Sequence, residues 1–255
     1  MPRPSATGAS ILAVVALLSL PATSFAEPPA RASKGAEEPR AAVRLLANVL
    51  RDNAAFASTH GADFFAPMKE GQHPRATVVM CADSRVHSHD FEAMPEGDLF
   101  VVRNIGNQID STPGSVAYGI HHLHTPVLLI VGHVGCGAVK AALTDYSAES
   151  PELRRELDGL HLSIAHTRQG LSDDARWLDG VFANVHQQVE NAVHEYTAEV
   201  KSGELVVVGA VYDFKDELKG GAGRLHIVNV NGERDATRLA KLPLLVEAKK
   251  RAAAR

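Results

Sequence analysis

The chain is poor in cysteine: Cys81 and Cys136 are its two thiols among 255 residues. That scarcity rules out a small disulfide-built scaffold, which needs cysteine at high density. Clustered positive charge is also missing. The 26 lysines and arginines are scattered and face 30 carboxylates, a formal net charge of −4, so no long-range field draws in nucleic acid or an anionic membrane. A small neutral or anionic ligand has to be held by local features. The N-terminal apolar run, Ile11 to Leu20, is about half the roughly 20 residues that a membrane-spanning helix needs. No internal repeat and no second domain boundary stand out. At 45% hydrophobic and 22% charged residues, the composition is that of a globular chain, neither disordered nor fibrous.

Arg3, the apolar run and Ser24-Phe25-Ala26 before Glu27 form the n-region, h-region and small-x-small site of a secretory signal. Residues 1–26 are therefore expected to be a signal peptide cut after Ala26, and no cysteine for lipidation follows. The protein is expected in the periplasm, for a Gram-negative source, or outside the cell. Residues 27–40, rich in Pro, Ala and charge, read as a flexible leader, and 41–255 as one α/β catalytic domain. In an oxidising compartment two cysteines can pair. Here, however, each closes an apolar strand-like run beside polar groups, which suits a metal ligand or nucleophile better.

Val43, Leu46, Val49 and Leu50 recur at helical spacing over 41–56, and a shorter helix is expected over 62–69. Short β-branched runs predict strands at 77–82, 98–104, 126–133, 205–213 and 224–230. Between them, Pro113 opens a helix through His121, His122 and His124. Gly137 begins another, and long helical patterns cover 153–166 and 179–201. A C-terminal helix from Asp235 is interrupted near Pro243. Continuous apolar strands alternating with helices predict an α/β fold, a mostly parallel central sheet of about five strands covered on both faces.

In such sheets ligands bind at the carboxyl ends of the strands. Two clusters meet that condition: Cys81, Asp83 and Arg85 after the first strand, and His133 with Cys136 after the third. Two thiolates, an imidazole and a carboxylate are a borderline-soft set that favours tetrahedral Zn²⁺, and three protein ligands with one exchangeable position suit catalysis.

Cys81-Ala82-Asp83-Ser84-Arg85-Val86, followed by His133-Val134-Gly135-Cys136-Gly137, resembles the paired signature of the β-class carbonic anhydrases. The likeness runs from about Gly71 to Val230 and includes Gly71-Gln72-His73-Pro74, Phe100 to Asn107 and Val211-Tyr212-Asp213. It implies a β-carbonic anhydrase-like fold and reversible hydration of CO₂ to bicarbonate and a proton by zinc-bound hydroxide. The implied zinc ligands are Cys81, His133 and Cys136. Asp83 either takes the fourth site in a closed form or pairs with Arg85 while accepting a hydrogen bond from the zinc water. Gln72 is the implied handle for a substrate oxygen, and Phe100, Ile105 and Tyr118 wall the pocket, partly from the partner subunit of a homodimer or a higher even-numbered oligomer. Val78 stands where members with a regulatory bicarbonate site carry Trp, which implies the plant-like, non-allosteric kind, here as an exported bacterial member. Ala117 stands where members often have an acidic residue.

Other readings of the same residues remain open at this level. A CS₂ or COS hydrolase keeps this zinc site, and an inactive relative would bind zinc without turnover. The cysteines could instead form a disulfide, Asp83 and Arg85 a structural ion pair, and Gln72 a loop cap. His87 and His89 invite a proton-shuttle role, yet read equally as surface residues, and His121, His122 and His124 as a helix face. Gly132, Gly135 and Gly137 reverse the spacing of a dinucleotide-binding loop and give no support to one.

Overall fold

The computed structural model describes residues 38–165 and 167–254. The chain divides into two compact units, Met1–Val43 and Arg44–Arg255. Of the first, the described part is the opening of helix α1, Glu38–Thr59. The signal expected over 1–26 lies outside the described residues, and helix begins inside the leader expected over 27–40. Among the described residues no helix is long and apolar enough to cross a membrane.

Helix α2 (Ala62–Lys69) precedes strand β1 (Ala76–Cys81). Strand β2 is Leu99–Asn104, followed by the short helix α3 (Pro113–Ala117) and a π turn over Tyr118–His122. Strand β3 (Val127–His133) leads into α4 (Gly137–Ala142) and α5 (Pro151–Ile164). Then come α6 (Asp173–Glu195), α7 (Thr197–Ser202), β4 (Val206–Asp213), β5 (Arg224–Val230), α8 (Ala236–Leu239) and α9 (Pro243–Ala253).

The five strands make one sheet in the order β2-β1-β3-β4-β5. The first three pairings are parallel, and β4 with β5 is antiparallel. All six residues of β1 are buried, as expected of a central strand covered on both faces. Val79 joins a core with Ile130, Val189 and Val207 on one face, while Val78 and Met80 pack with Val131 and Tyr212 on the other. The chain runs from β1 outward to β2, then crosses back to lay β3 on the other side of β1. The strand order reverses between β1 and β3, so a crevice opens at their carboxyl ends.

Helix α6 packs across β3 and β4. It can approach closely because each strand places a glycine beneath it: a Cβ on Gly132 would lie 2.5 Å from Val185, and one on Gly209 2.8 Å from both Val185 and Val189. The helix begins at Asp173, six residues before the expected Asp179. The Ser172 hydroxyl caps it by accepting the Ala175 amide, and Asp173 and Asp174 suit the positive end of the helix dipole. The expected continuous helix to Lys201 breaks at Tyr196, whose φ of −103° and ψ of 40° leave the helical range. The helix expected after Pro113 is α-helical only over α3 and then widens into the π turn carrying His121 and His122. Helix α5 starts at Pro151 behind its Ser150 cap, and its expected last residue, His166, lies outside the described residues.

Candidate metal centre

Cys81 closes β1 and His133 closes β3; Cys136 follows after the turn at Gly135, whose φ of +66° suits glycine, and stands at the start of α4. The ligand atoms of these three buried residues all lie within 4.8 Å of one another. The two sulfurs are 4.0 Å apart as free thiols, so no disulfide joins them. The His133 Nδ1 lies 3.0 Å from the Val134 carbonyl oxygen, which can only accept, so Nδ1 carries the proton. Its Nε2 therefore presents a lone pair. That atom is fully buried with no hydrogen-bond partner. A buried lone pair left unpartnered beside two thiols is costly unless a cation takes it up. Cys₂His with a fourth position free for exchange is the donor set of a catalytic zinc.

The electrostatics of the thiols point the same way. Hydrogen bonding from Cys136 pushes the Cys81 thiol down; burial opposes this, while the Gly106 amide assists. The hydrogen bond to Cys81 pushes the Cys136 thiol well up, and burial adds to it. Without a cation the pair holds one negative charge readily and resists the second; a divalent ion removes that resistance.

Asp83 faces this cluster, its Oδ2 3.8 Å from His133 Nε2, but it is turned toward Arg85. Arg85 donates from Nε at 2.8 Å and from Nη2 at 2.7 Å to the two carboxylate oxygens, and its own amide donates to Oδ1 at 3.0 Å. A further Nη2 bond at 3.0 Å ties Arg85 to the Gly135 carbonyl, beside Cys136. These bonds hold the Asp83 carboxyl at about 2, burial opposing them only in part, and Asp83 in turn raises the Arg85 guanidinium. The depressed carboxyl means that the dyad's contribution to stability is present above the ordinary Asp range and is lost as pH falls toward 2.

Arg103, on β2, fixes the loop that carries Asp83. Its Nη2 reaches the carbonyls of Cys81, Asp83 and Val86, each at 2.8 Å, and its Nε also reaches Cys81 at 3.1 Å. The loop after β2 is held by buried amides. The Asn104 side chain donates to the Gln108 carbonyl at 2.6 Å and accepts the Gln108 amide at 2.7 Å, and Asn184 on α6 donates to the Gly106 carbonyl at 2.8 Å. These contacts set Gly106, at φ +74°, and place Ile105 in the apolar cluster around Cys81 and Cys136.

Gln72 is exposed on the loop before β1. Phe100 and Tyr118 pack on each other with ring centres 5.7 Å apart, and Tyr118 is 43% exposed. Phe100 lies four residues upstream of Asn104, the register partner of Cys81, hence roughly 13 Å back along the strand. One chain thus brings together Cys81, Asp83, Arg85, Ile105, His133 and Cys136, and leaves Phe100, Tyr118 and Gln72 apart. Ala117 is half-buried and Val78 fully buried. His87 and His89 stack on the surface with ring centres 5.4 Å apart, and His89 lies 3.3 Å from Glu96. His121 approaches Glu199 at 3.5 Å.

The carbonic anhydrase family matches residues 76–220, more than half of the chain. Carbonic anhydrase 2 of Mycobacterium tuberculosis (strain H37Rv) is 33% identical over 179 residues, 67% of this chain and 84% of that protein. The Coccomyxa β-carbonic anhydrase, solved in complex with acetazolamide, is 25% identical at a TM-score of 0.60, covering 80% of this chain and 91% of that one. A structure of tetrameric β-carbonic anhydrases from Sordaria macrospora shares the fold at 23% identity and a TM-score of 0.62, over 73% of this chain and 98% of that one.

Proposed function

Because this chain belongs to the β-class carbonic anhydrases, we propose that Cys81, His133 and Cys136 hold one zinc ion and that the protein interconverts CO₂ and water with bicarbonate and a proton. The observation that carries this reading is the unpartnered, buried His133 Nε2 beside two thiols, with the Asp83 carboxylate turned away to Arg85. Zinc, when bound, supplies a hydroxide near neutral pH by lowering the pKa of water from about 15.7 toward about 7.

The chain's own groups do the rest. Asp83, ionised down to about 2 and fixed by two Arg85 bonds, can only accept, so it orients the attacking oxygen by taking its O–H. Arg103 holds the backbone on which Asp83 rides. Ile105 supplies an apolar wall suited to a small apolar substrate. Gln72 donates its amide to a substrate oxygen, and Phe100 and Tyr118 close the pocket.

The last three reach a metal centre only from a second copy or by ordering around substrate. A homodimer, or an even multiple of it, meets that need. The exposure of Tyr118 and of Leu45, Leu46, Val49 and Leu50 along α1 supports it. Sedimentation should give a dimer or a multiple of one; an active monomer would contradict this.

Two thiolates donate more charge than imidazoles and leave the pKa of the metal's water above that of an all-histidine site. The Asp83–Arg85 dyad does not titrate near neutrality. Hydration should therefore climb from about pH 6 to about pH 9, the range that brackets such a pKa; a flat or falling profile would sink this account. Val78, buried in β1, leaves no indole for a regulatory bicarbonate site. Bicarbonate should inhibit without steep cooperativity, measured as initial rate against bicarbonate concentration. Export remains part of this reading, and sequencing of the cell-produced protein should begin at Glu27.

A further inference from the structure

The metal-binding turn at Gly135 and Cys136 is gripped from outside by a residue that plays no part in the reaction described above. Trp177, the chain's single tryptophan, sits half-buried on α6. Its indole Nε1–H donates to the Cys136 carbonyl at 2.7 Å. That oxygen also accepts the Lys140 amide at 3.1 Å, so both of its lone pairs are taken. The preceding carbonyl, Gly135, accepts from Arg85. The peptide carrying the Cys136 ligand is thus fixed by an indole on one side and a guanidinium on the other.

The indole is itself held in place. Lys140 Nζ lies 4.7 Å and Lys215 Nζ 5.2 Å from the Trp177 ring centre. A cation over an indole draws on its π electrons, which strengthens the N–H as a donor. Lys215 stands on a loop pinned by Asp213, whose carboxylate accepts the Lys215 amide at 3.0 Å and the Leu218 amide at 2.7 Å. Glu217, 3.1 Å from Lys215, completes the local charge balance.

We propose that Trp177 is a positioning residue for the metal: its N–H fixes the Cys136 peptide, and so the direction of the Cys136 sulfur, before the ion arrives. This rests on the zinc reading given above. Outer partners that orient ligands typically change metal affinity about 10-fold to 100-fold.

The single tryptophan makes the test clean, because an analogue incorporated in its place changes one site. Benzothienylalanine keeps the shape and the aromatic face of tryptophan but has sulfur where the N–H was. Zinc affinity is measured by competition with a chromophoric chelator for the native chain, the analogue and Trp177→Phe. Co²⁺ loading reports the thiolate-to-metal absorption of each. The expected result is zinc affinity about 10-fold to 100-fold lower in the analogue, with a shifted or weakened thiolate–Co²⁺ band, at an unchanged melting temperature. An analogue that matches the native chain in both would overturn the proposal, whether or not Trp177→Phe folds, because packing alone would then account for the indole. A native chain that binds no zinc would instead refute the metal reading itself.

Discussion

Replacing Cys136 or Cys81 with serine should strip the protein of zinc and abolish CO₂ hydration together. A serine hydroxyl keeps its proton near neutral pH and is a poor ligand where a thiolate is a good one. Structural zinc sites with four ligands bind with about 10–16 kcal/mol, so one ligand carries roughly 3–4 kcal/mol, a loss of about 10²- to 10³-fold in affinity. Both cysteines are buried, Cys136 at 1% exposure, so serine also leaves a small polar group in an apolar cluster at modest cost in stability. Metal content after dialysis and the hydration rate at saturating zinc check this. Full zinc occupancy in either variant would remove that cysteine from the ligand set.

Arg85→Leu should be nearly as damaging, for a different reason. Asp83 lies 3.8 Å from His133 Nε2, and the two Arg85 bonds hold it back. Two charge-assisted hydrogen bonds are worth about 3–6 kcal/mol. With the Arg85 side chain 47% exposed, solvent screening takes about half of that, leaving roughly 1.5–3 kcal/mol, or about 10- to 150-fold in population. The freed carboxylate would be able to turn toward the ion that Cys81, His133 and Cys136 would hold, and kcat should fall by about that factor while zinc stays bound. The Asp83 carboxyl should also return toward its ordinary range once Arg85 no longer holds it down. Adding Asp83→Asn to Arg85→Leu removes the blocking carboxylate, so the double variant should not fall below Arg85→Leu by the product of the single losses. A fully active Arg85→Leu enzyme would show that the pair is structural only.

The meeting of Cys81, His133 and Cys136 was legible in the sequence because strand-end chemistry leaves a spacing: Cys81, Asp83 and Arg85 alternate, and His133 and Cys136 flank a glycine turn. The parallel sheet was legible from the β-branched runs, within about one residue at each strand edge. Arg103 and Trp177 were not, since both act on carbonyl oxygens, and a bond to a backbone atom leaves no signature in the partner's side chain. The start of α6 carried a readable signal, Ser172 before two aspartates, that apolar periodicity alone passes over. The break at Tyr196 has neither glycine nor proline to mark it. The placement of Phe100 away from the thiols could not be read from spacing, because it depends on the parallel register that sets Phe100 opposite Thr77, four residues before Cys81.

Catalysis by the zinc-loaded protein is the most direct test of the proposed site. Stopped-flow CO₂ hydration at alkaline pH, with bound zinc counted in the same sample, should give one zinc per chain and a rate far above that of buffer. Stoichiometric zinc with a rate no greater than buffer's would contradict it, and turnover of CS₂ in that sample would then assign the site to a different substrate.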